Sequence, residues 1–329
     1  MTPVTEAPVV GPSRTESTEE LLAVLARVPE VAGRDLTLTP LSGGITNRNF
    51  LVTPSAGVGA SAAEMPARFV LRLAGNDTHL LGISREVEHA ATQAAAGVGV
   101  GPEVVAFIRP EGYLLTRFIE GRPITPAEMR TRDGLRALGE TLRRIHEAPP
   151  IPGLFIPYRI VEVYGALAAA RGVPIPPAYE LAQAIARRIE LACLSRHVML
   201  RPCHNDLLNA NFIDDGVRIR IVDWEYAGMG DPFFDLGNVS VNHDLAPEDD
   251  AALLTAYDDT SAADPVRLAR LTLMRVMSDY REAMWGVLQQ GISALDVDFR
   301  AYAAEHFERL LANASGVAFE RALQDAGAV

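Results

Sequence analysis

The fold is indicated most clearly by residues 204–235, HNDLLNANFIDDGVRIRIVDWEYAGMGDPFFD. His204, Asp206 and Asn211 have the spacing H-x-D-x-x-x-x-N, and an apolar run returns the chain to Asp223 twelve residues later. Phosphoryl transfer needs a carboxylate to orient or deprotonate the attacking hydroxyl and oxygen ligands for Mg²⁺. A polar turn between two strands would explain each residue singly. The four positions together, with the intervening strand, indicate a kinase site.

The sequence around this stretch divides into regions of different character. Residues 1–16 are rich in Pro, Thr, Val and Glu without a sustained period and read as a disordered tail. A β-rich lobe is expected over residues 17–119, a linker over 120–123, and a helical lobe over 124–329. We therefore predict an α+β fold whose small lobe is a five-stranded antiparallel sheet with one helix and whose large lobe is mainly helical.

The individual elements follow from residue patterning. Ser17 and Glu20 have capping-box spacing before an apolar stripe, which predicts a first helix. Strands are expected in the runs LTLTPLSGG, RNFLVTP, ARFVLRLAG, EVVAFI and GYLLTRFIEG, with a helix near residues 80–97. From Thr125 onward apolar residues return every three or four positions. Helices are expected from Thr125 to about residue 148 and near 158–170, 177–195, 232–242, 247–258, 265–290, 298–312 and 316–326.

Composition limits the function classes. The 329-residue chain is 48% hydrophobic and carries a formal charge of −12, which disfavours general binding to nucleic acid or to an anionic membrane. All 30 basic residues are Arg, so any role that lysine usually takes must fall to arginine. Two cysteines are too few for a disulfide framework, and the sequence shows no secretion signal or membrane-spanning run. We expect a cytoplasmic protein with no membrane insertion.

The sequence resembles the choline/ethanolamine kinase family, within the aminoglycoside phosphotransferase-like group of the protein-kinase-like two-lobe fold. The resemblance rests on HNDLLNANF and IVDWEYAGMGDPFFDLGN, and on LSGGITNRNF, RFVLRLAG, SREVEHAA and LRRIHEA, and it covers about residues 38–245. It implies an enzyme that uses ATP and Mg²⁺. Asp206 would be the catalytic base, Asn211 and Asp223 the Mg²⁺ ligands, and His204 a brace for the catalytic loop. Asp235 would bind backbone amides of that loop.

The same resemblance assigns the nucleotide site. In the glycine-containing loop, the residues expected over the phosphates are Ser42, Gly43, Gly44, Thr46 and Asn47. Arg72 would hold the ATP phosphates, with Arg68 on the same strand face as the other candidate. Glu86 would fix the orientation of Arg72, and Glu88 is the neighbouring alternative. Adenine would lie against the backbone from Arg117 to Ile119, with Val222 as an apolar floor.

The acceptor is expected to be small. Only eleven residues separate Asp223 from Asp235, too few for the activation segment of a protein kinase. A hydroxylated amine, most simply choline or ethanolamine, would need aromatic faces and carboxylates around its cation. The substrate candidates are Glu225, Tyr226, Phe233, Asp279 and Trp285, with Phe234, Tyr280, Glu282 and Tyr302 nearby in sequence.

Several alternatives remain open from the residues alone. The aromatic residues Tyr280 and Trp285 lie in a helix rich in Leu, Met and Val, where packing into the core would explain both. Glu225 is either a support for the metal, a contact for a cationic substrate or a solvated turn acid. An antibiotic, thiamine or sugar phosphotransferase of the same fold is the second function class. A non-catalytic nucleotide-binding protein is a third, against which the intact Asp206, Asn211 and Asp223 argue.

Overall fold

The computed structural model describes residues 16–41, 47–55, 67–75, 77–194 and 199–327. The predicted disordered tail lies outside these residues except for Glu16, whose carboxylate accepts hydrogen bonds from Arg48 and Tyr113. Among the described helices, none is long and apolar enough to cross a membrane.

The N-terminal part contains one antiparallel five-stranded sheet. Its strands are β1 (Leu36–Leu41), β2 (Arg48–Pro54), β3 (Phe69–Leu73), β4 (Val104–Ile108) and β5 (Tyr113–Arg117). They are arranged in the order β1-β2-β3-β5-β4, so the last strand enters between the third and the fourth. Alternate residues of β2 and β3 are buried, as expected for a sheet with one face on a core. The predicted five-stranded lobe is confirmed.

Two helices accompany this sheet. Helix α1 (Thr18–Leu25) begins at the predicted capping box of Ser17 and Glu20 and packs its apolar stripe onto the sheet core. Helix α2 (Arg85–Gly97) begins later than the predicted residue 80. A short 3-10 helix, Thr78–Leu81, ends at Gly82, whose φ of 78° is left-handed and interrupts the helix before Ser84 caps α2.

The C-terminal part is mainly helical. Its helices are α3 (Pro126–Met129), α4 (Arg132–His146), α5 (Pro157–Ala170), α6 (Ala178–Leu194), α7 (Pro232–Asn242), α8 (Pro247–Asp258), α9 (Pro265–Ile292), α10 (Phe299–Asn313) and α11 (Val317–Gly327). The single helix predicted from Thr125 is two helices, because Thr131 caps a new helix by accepting from the amide of Gly134. Helix α9 is buried around most of its circumference and packs against α5, α7, α10 and α11.

Five short strands follow the five-stranded sheet, one at the linker and four around the predicted motif. They are β6 (Arg122–Pro123), β7 (Arg201–Cys203), β8 (Phe212–Asp214), β9 (Ile219–Ile221) and β10 (Gly228–Gly230). The antiparallel pair β8–β9 is a hairpin that brings Val222 back to Asn211, whose carbonyl accepts the Val222 amide at 3.0 Å. This hairpin brings Asp223 next to the strand that follows Asp206. The predicted α+β two-lobe fold class is confirmed.

Candidate active site

The loop after β7 is held by one buried carboxylate. Asp235, in the first turn of α7, accepts the backbone amides of His204 at 2.8 Å and Asn205 at 2.7 Å. Its Oδ2 also lies 3.0 Å from Nε2 of His146 on α4. Asn205 has a positive φ of 67°, a conformation that needs such support outside glycine. Asp235 therefore has the predicted structural role: it fixes the backbone from which Asp206 projects.

His204 lies behind the loop. Its Nε2 lies 2.9 Å from the carbonyl of Val222, and its Nδ1 accepts the amide of Asp206 at 3.2 Å. This pairing requires the neutral tautomer with the proton on Nε2, and burial lowers the pKa of His204 in the same sense. The ring thus ties the catalytic loop to the strand end that carries Asp223.

Asp206 is 9% exposed and lies beside charges of both signs. Its Oδ1 is 3.2 Å from Nη1 of Arg281 on α9. Burial raises the pKa of Asp206 to about 8, against the opposing effect of Arg281 and with a further contribution from Glu282. A carboxylate whose pKa lies near neutrality is suited to accept a proton from a hydroxyl.

The two predicted metal ligands come from opposite arms of the hairpin. Nδ2 of Asn211 donates to the backbone carbonyl of Asp206 at 2.9 Å, which leaves the amide oxygen as its cation-binding atom. Asp223 has a φ of 69°, and both side chains line the same cavity. One amide oxygen and one carboxylate are a donor set that fits Mg²⁺.

Three further residues of metal-binding type lie behind the loop and have a structural role. His146, Cys203 and Asp235 present atoms within 4.8 Å of one another, all buried. Asp235 is already committed to two backbone amides, and burial raises the pKa of the Cys203 thiol well above its usual range. A protonated thiol is a poor metal ligand, so these residues support the loop from behind.

A cavity of about 440 Å³ lies between the N-terminal sheet and the hairpin. Its walls include Val70 and Leu114 of the sheet, and Val222 on the opposite side. The segment that crosses between the two parts, residues 117–119, forms another wall. The predicted adenine contacts Arg117, Ile119 and Val222 therefore all line one cleft, whose size is typical of small-ligand sites.

Arg72 lines this cavity beside Asp223, one of the two predicted metal ligands. Its guanidinium contacts Glu88 at 2.8 Å, Asp223 at 2.6 Å and Glu225 at 3.0 Å. Burial alone would lower the pKa of Arg72, but the three carboxylates together raise it. Arg68, the other candidate, instead pairs with Glu120 at 2.5 Å near the surface.

The predicted partner Glu86 is corrected to Glu88. Glu86 pairs with Arg109 at 2.6 Å, and both side chains are more than half exposed. Residues two apart on a helix point about 200° apart, so only one of the two acids of α2 can face the sheet. Glu88 faces it and also pairs with Arg85 at 2.7 Å. The neighbouring alternative is thus the residue that orients Arg72.

Glu225 belongs to the same group of charges. It is 4% exposed, so it is not a solvated turn acid. It contacts both Arg72 and Arg85 and accepts a hydrogen bond from Nδ2 of Asn47 at 2.7 Å. Of the predicted phosphate-loop residues, Asn47 is therefore tied to this network. Ser42, Gly43, Gly44 and Thr46 lie outside the described residues.

The family of the chain follows from its sequence. The model of a family described as the phosphotransferase enzyme family, APH, matches residues 37–271, well over half of the chain. The chain belongs to this family. Its solved relatives include a choline/ethanolamine kinase family protein from Mesorhizobium loti, 31% identical, with 94% of this chain and 99% of that one covered and a TM-score of 0.78.

Two curated relatives support the same placement. Protein LicA of Haemophilus influenzae is 26% identical over 217 residues, and the match spans 65% of this chain and 61% of LicA. Ethanolamine kinase 2 of Mus musculus is 26% identical over 271 residues, with 73% and 68% covered. The predicted choline/ethanolamine kinase-like type and the predicted enzyme class, an ATP-dependent phosphotransferase, are confirmed.

The aromatic residues considered for the acceptor side come from the loop after β9, from α9 and from α10. Nε1 of Trp285 donates to the hydroxyl of Tyr226 at 2.9 Å, and the rings of Trp285 and Tyr302 meet edge to face with centroids 5.6 Å apart. The hydroxyl of Tyr302 donates to Glu282 at 2.8 Å. The predicted residues Tyr226 and Trp285 therefore contact each other, and Tyr226 is linked to Asp206 through Arg281.

These rings and carboxylates surround Arg281, which sequence reasoning missed. Its guanidinium carbon lies 4.3 Å from the ring centroid of Tyr226, and Nη1 pairs with both Asp206 and Glu282. The available signal was the pair Arg281–Glu282 in the middle of an apolar helix, because charged residues are rarely buried without a partner.

Two other substrate candidates lie elsewhere. Phe233 is covered by the guanidinium groups of Arg267 and Arg270, each 4.8 Å from its ring centroid. Asp279 is fully buried against α10, where Arg309 and His306 bind its carboxylate. Since Asp279 is two residues before Arg281, it faces the opposite side of α9. The structure does not bring either residue to Asp206.

Proposed function

We propose that this phosphotransferase transfers the γ-phosphate of ATP to the hydroxyl of a small amino alcohol of the choline or ethanolamine type. Asp206 is the base, and Asn211 and Asp223 hold Mg²⁺. The observation that carries the proposal is that Asn211 and Asp223, from the two ends of a hairpin, line the cavity between the two parts, while the Asn211 side chain binds the backbone carbonyl of Asp206.

The nucleotide binds in the cavity. Its base lies between the crossing segment at Arg117–Ile119 and Val222, and its phosphates point toward Arg72. An arginine oriented by Glu88 presents donors in a fixed plane, which suits phosphate oxygens. When bound, Mg²⁺ neutralises charge on the phosphates.

Asp206 acts on the acceptor. Its carboxylate takes the hydroxyl proton while the hydroxyl oxygen bonds to the γ-phosphorus and the bond from that phosphorus to the β–γ bridging oxygen breaks, releasing ADP. The hydrogen bond from Asn211 to the Asp206 carbonyl links the metal ligand to the base, so the two groups keep a fixed separation. The amino-alcohol class is supported by the names of the family relatives, which include a choline/ethanolamine kinase family protein and ethanolamine kinase 2.

The test is acceptor-dependent ADP release from Mg²⁺-ATP. Choline, ethanolamine, thiamine, sugars and aminoglycosides are compared at equal concentration, and we expect turnover with an amino alcohol. Asp206→Ala should lower the rate by at least about 10²-fold, the lower bound for loss of a general base. The control is Asp133→Ala, a carboxylate 89% exposed on α4, which should keep parental activity. Activity of Asp206→Ala within twofold of the parent would exclude Asp206 as the base.

A further inference from the structure

Arg281 is a buried cation with unused hydrogen-bonding capacity. Its side chain is 2% exposed, and Nη1 makes both of its ion pairs. Nε and Nη2 are buried and have no hydrogen-bond partner among the described residues. Leaving buried donors of a charged group unpaired is unfavourable, by about 1–3 kcal/mol or more. A ligand that accepts from these two atoms would remove that penalty.

The position of Arg281 matters as much as its unpaired donors. The groups that contact it are those that would bind a substrate ammonium: the face of Tyr226, whose hydroxyl accepts from Trp285, and the carboxylate of Glu282. The guanidinium occupies this environment itself. A substrate cation brought to the same place would meet a like charge at close range, which is unfavourable in a buried site.

We propose that Arg281 determines acceptor specificity by binding an oxyanion of the acceptor through Nε and Nη2. The inference rests on the proposed function and narrows its substrate class. The acceptor is a short amino alcohol that also carries a carboxylate or phosphate group, and it is preferred over the same amino alcohol without that group. Because Nη1 already lies 3.2 Å from Asp206, an oxyanion on the other edge of the guanidinium leaves the acceptor hydroxyl near the base.

The test uses acceptor pairs that differ mainly by a carboxylate. Serine is compared with ethanolamine, and carnitine with choline, by acceptor-dependent ADP release with Mg²⁺-ATP. We expect kcat/KM to be at least about tenfold higher for the carboxylate-bearing member of at least one pair, the effect of a hydrogen-bonded charged group. Higher kcat/KM for ethanolamine and choline in both pairs would overturn the inference and leave the proposed function intact.

Two variants separate specificity from folding. Arg281→Met removes the charge and should reduce the carboxylate preference by about tenfold or more. Arg281→Lys keeps the charge without the planar fork and should retain part of the preference. It replaces Arg281→Met as the test if that variant does not fold. Arg321→Met, at an arginine 80% exposed on α11, is the matched control and should leave the preference unchanged.

Binding measurements distinguish the remaining outcomes. If none of the four compounds is phosphorylated, the proposed function fails for this class, and calorimetric binding in the presence of a non-hydrolysable ATP analogue tests Arg281 alone. Tighter binding of serine or carnitine than of its partner, lost in Arg281→Met, would support the oxyanion site. An unchanged preference in Arg281→Met, a loss confined to apparent ATP affinity, or no binding of any compound would overturn it.

Discussion

Two arginines pair with carboxylates of the predicted phosphoryl-transfer site, Arg72 with Asp223 and Arg281 with Asp206, and they differ in what else they face. Arg72 is held by Glu88, Asp223 and Glu225 and borders the open nucleotide cavity. Arg281 is paired with two carboxylates and lies over the ring of Tyr226. Under the two proposals above, one enzyme uses the same side chain for two purposes: Arg72 on a cavity wall meets the ATP phosphates, and Arg281 limits which acceptor can bind.

The largest effect is expected from removing Arg72, the arginine proposed to bind the ATP phosphates. Arg72→Met should weaken the apparent affinity for ATP by about 10- to 100-fold, because a charged hydrogen-bonding group is worth ~1.5–3 kcal/mol. Acceptor preference should stay unchanged. Arg68→Met is the control, since Arg68 lies in the same strand region but pairs with Glu120 near the surface.

Steady-state kinetics at varied ATP measure the apparent ATP affinity, and the same assay at varied acceptor measures the acceptor preference. An equal loss of ATP affinity in Arg68→Met would show that the phosphates lie elsewhere along the strand. If Arg281→Met weakened ATP use as much as Arg72→Met does, the two arginines would share one function and the division between them would be wrong.

A smaller effect is expected from the acid that orients Arg72. Glu88→Gln keeps the shape but removes one of three charges around the guanidinium, so apparent ATP affinity should fall by roughly tenfold or less. Glu86→Gln changes an exposed acid two residues away and should stay within about twofold of the parent, as surface substitutions usually do. Reversed effects in the two variants would contradict the placement of Glu88 against the sheet.

The sequence could predict the parts of the site that depend on local spacing along the chain. Asp206, Asn211 and Asp223 lie at short, fixed separations around one hairpin, so local spacing was enough to bring them together. The five-stranded sheet and most helices follow from patterns of period two and 3.6. The choice between Glu86 and Glu88 was different, because both lie in the first turns of α2 and only the rotation of that helix against the sheet decides.

The acceptor side depends on contacts across longer stretches of chain. Tyr226 and Arg281 are 55 residues apart, and their contact arises from the packing of α9 against its neighbours. Asp279 and Phe233 have the residue types expected of a cation site. However, an arginine on α10 binds Asp279, and two arginines on α9 cover Phe233. The residue types were enough to propose candidates for the acceptor side. Which of them face Asp206 depends on the rotation of the helices, which the sequence does not specify.

The raised pKa of Asp206 should also make the stability of the folded protein depend on pH. With its pKa raised to about 8, Asp206 keeps a proton in the folded protein at pH values where the unfolded chain, with the ordinary carboxyl pKa of 3.8, releases it. The folded state therefore loses stability as pH rises from about 4 to about 8. Asp206→Asn cannot lose that proton, so the melting temperature of the variant minus that of the parent should increase over this interval.

The expected gain is several degrees or more, because a pKa difference of one is worth about 1.4 kcal/mol and ~1 kcal/mol shifts the melting temperature of a protein of roughly 150–250 residues by about 2–4 °C. Melting is measured without Mg²⁺ and nucleotide, because a nearby cation would favour the ionised carboxylate. Asp133→Asn, at an exposed acid, should show no pH-dependent difference. A melting-temperature difference for Asp206→Asn that stays constant or shrinks with rising pH would mean that Arg281 outweighs burial and holds Asp206 ionised. The charges around Arg281 would then be as fully compensated as those around Arg72.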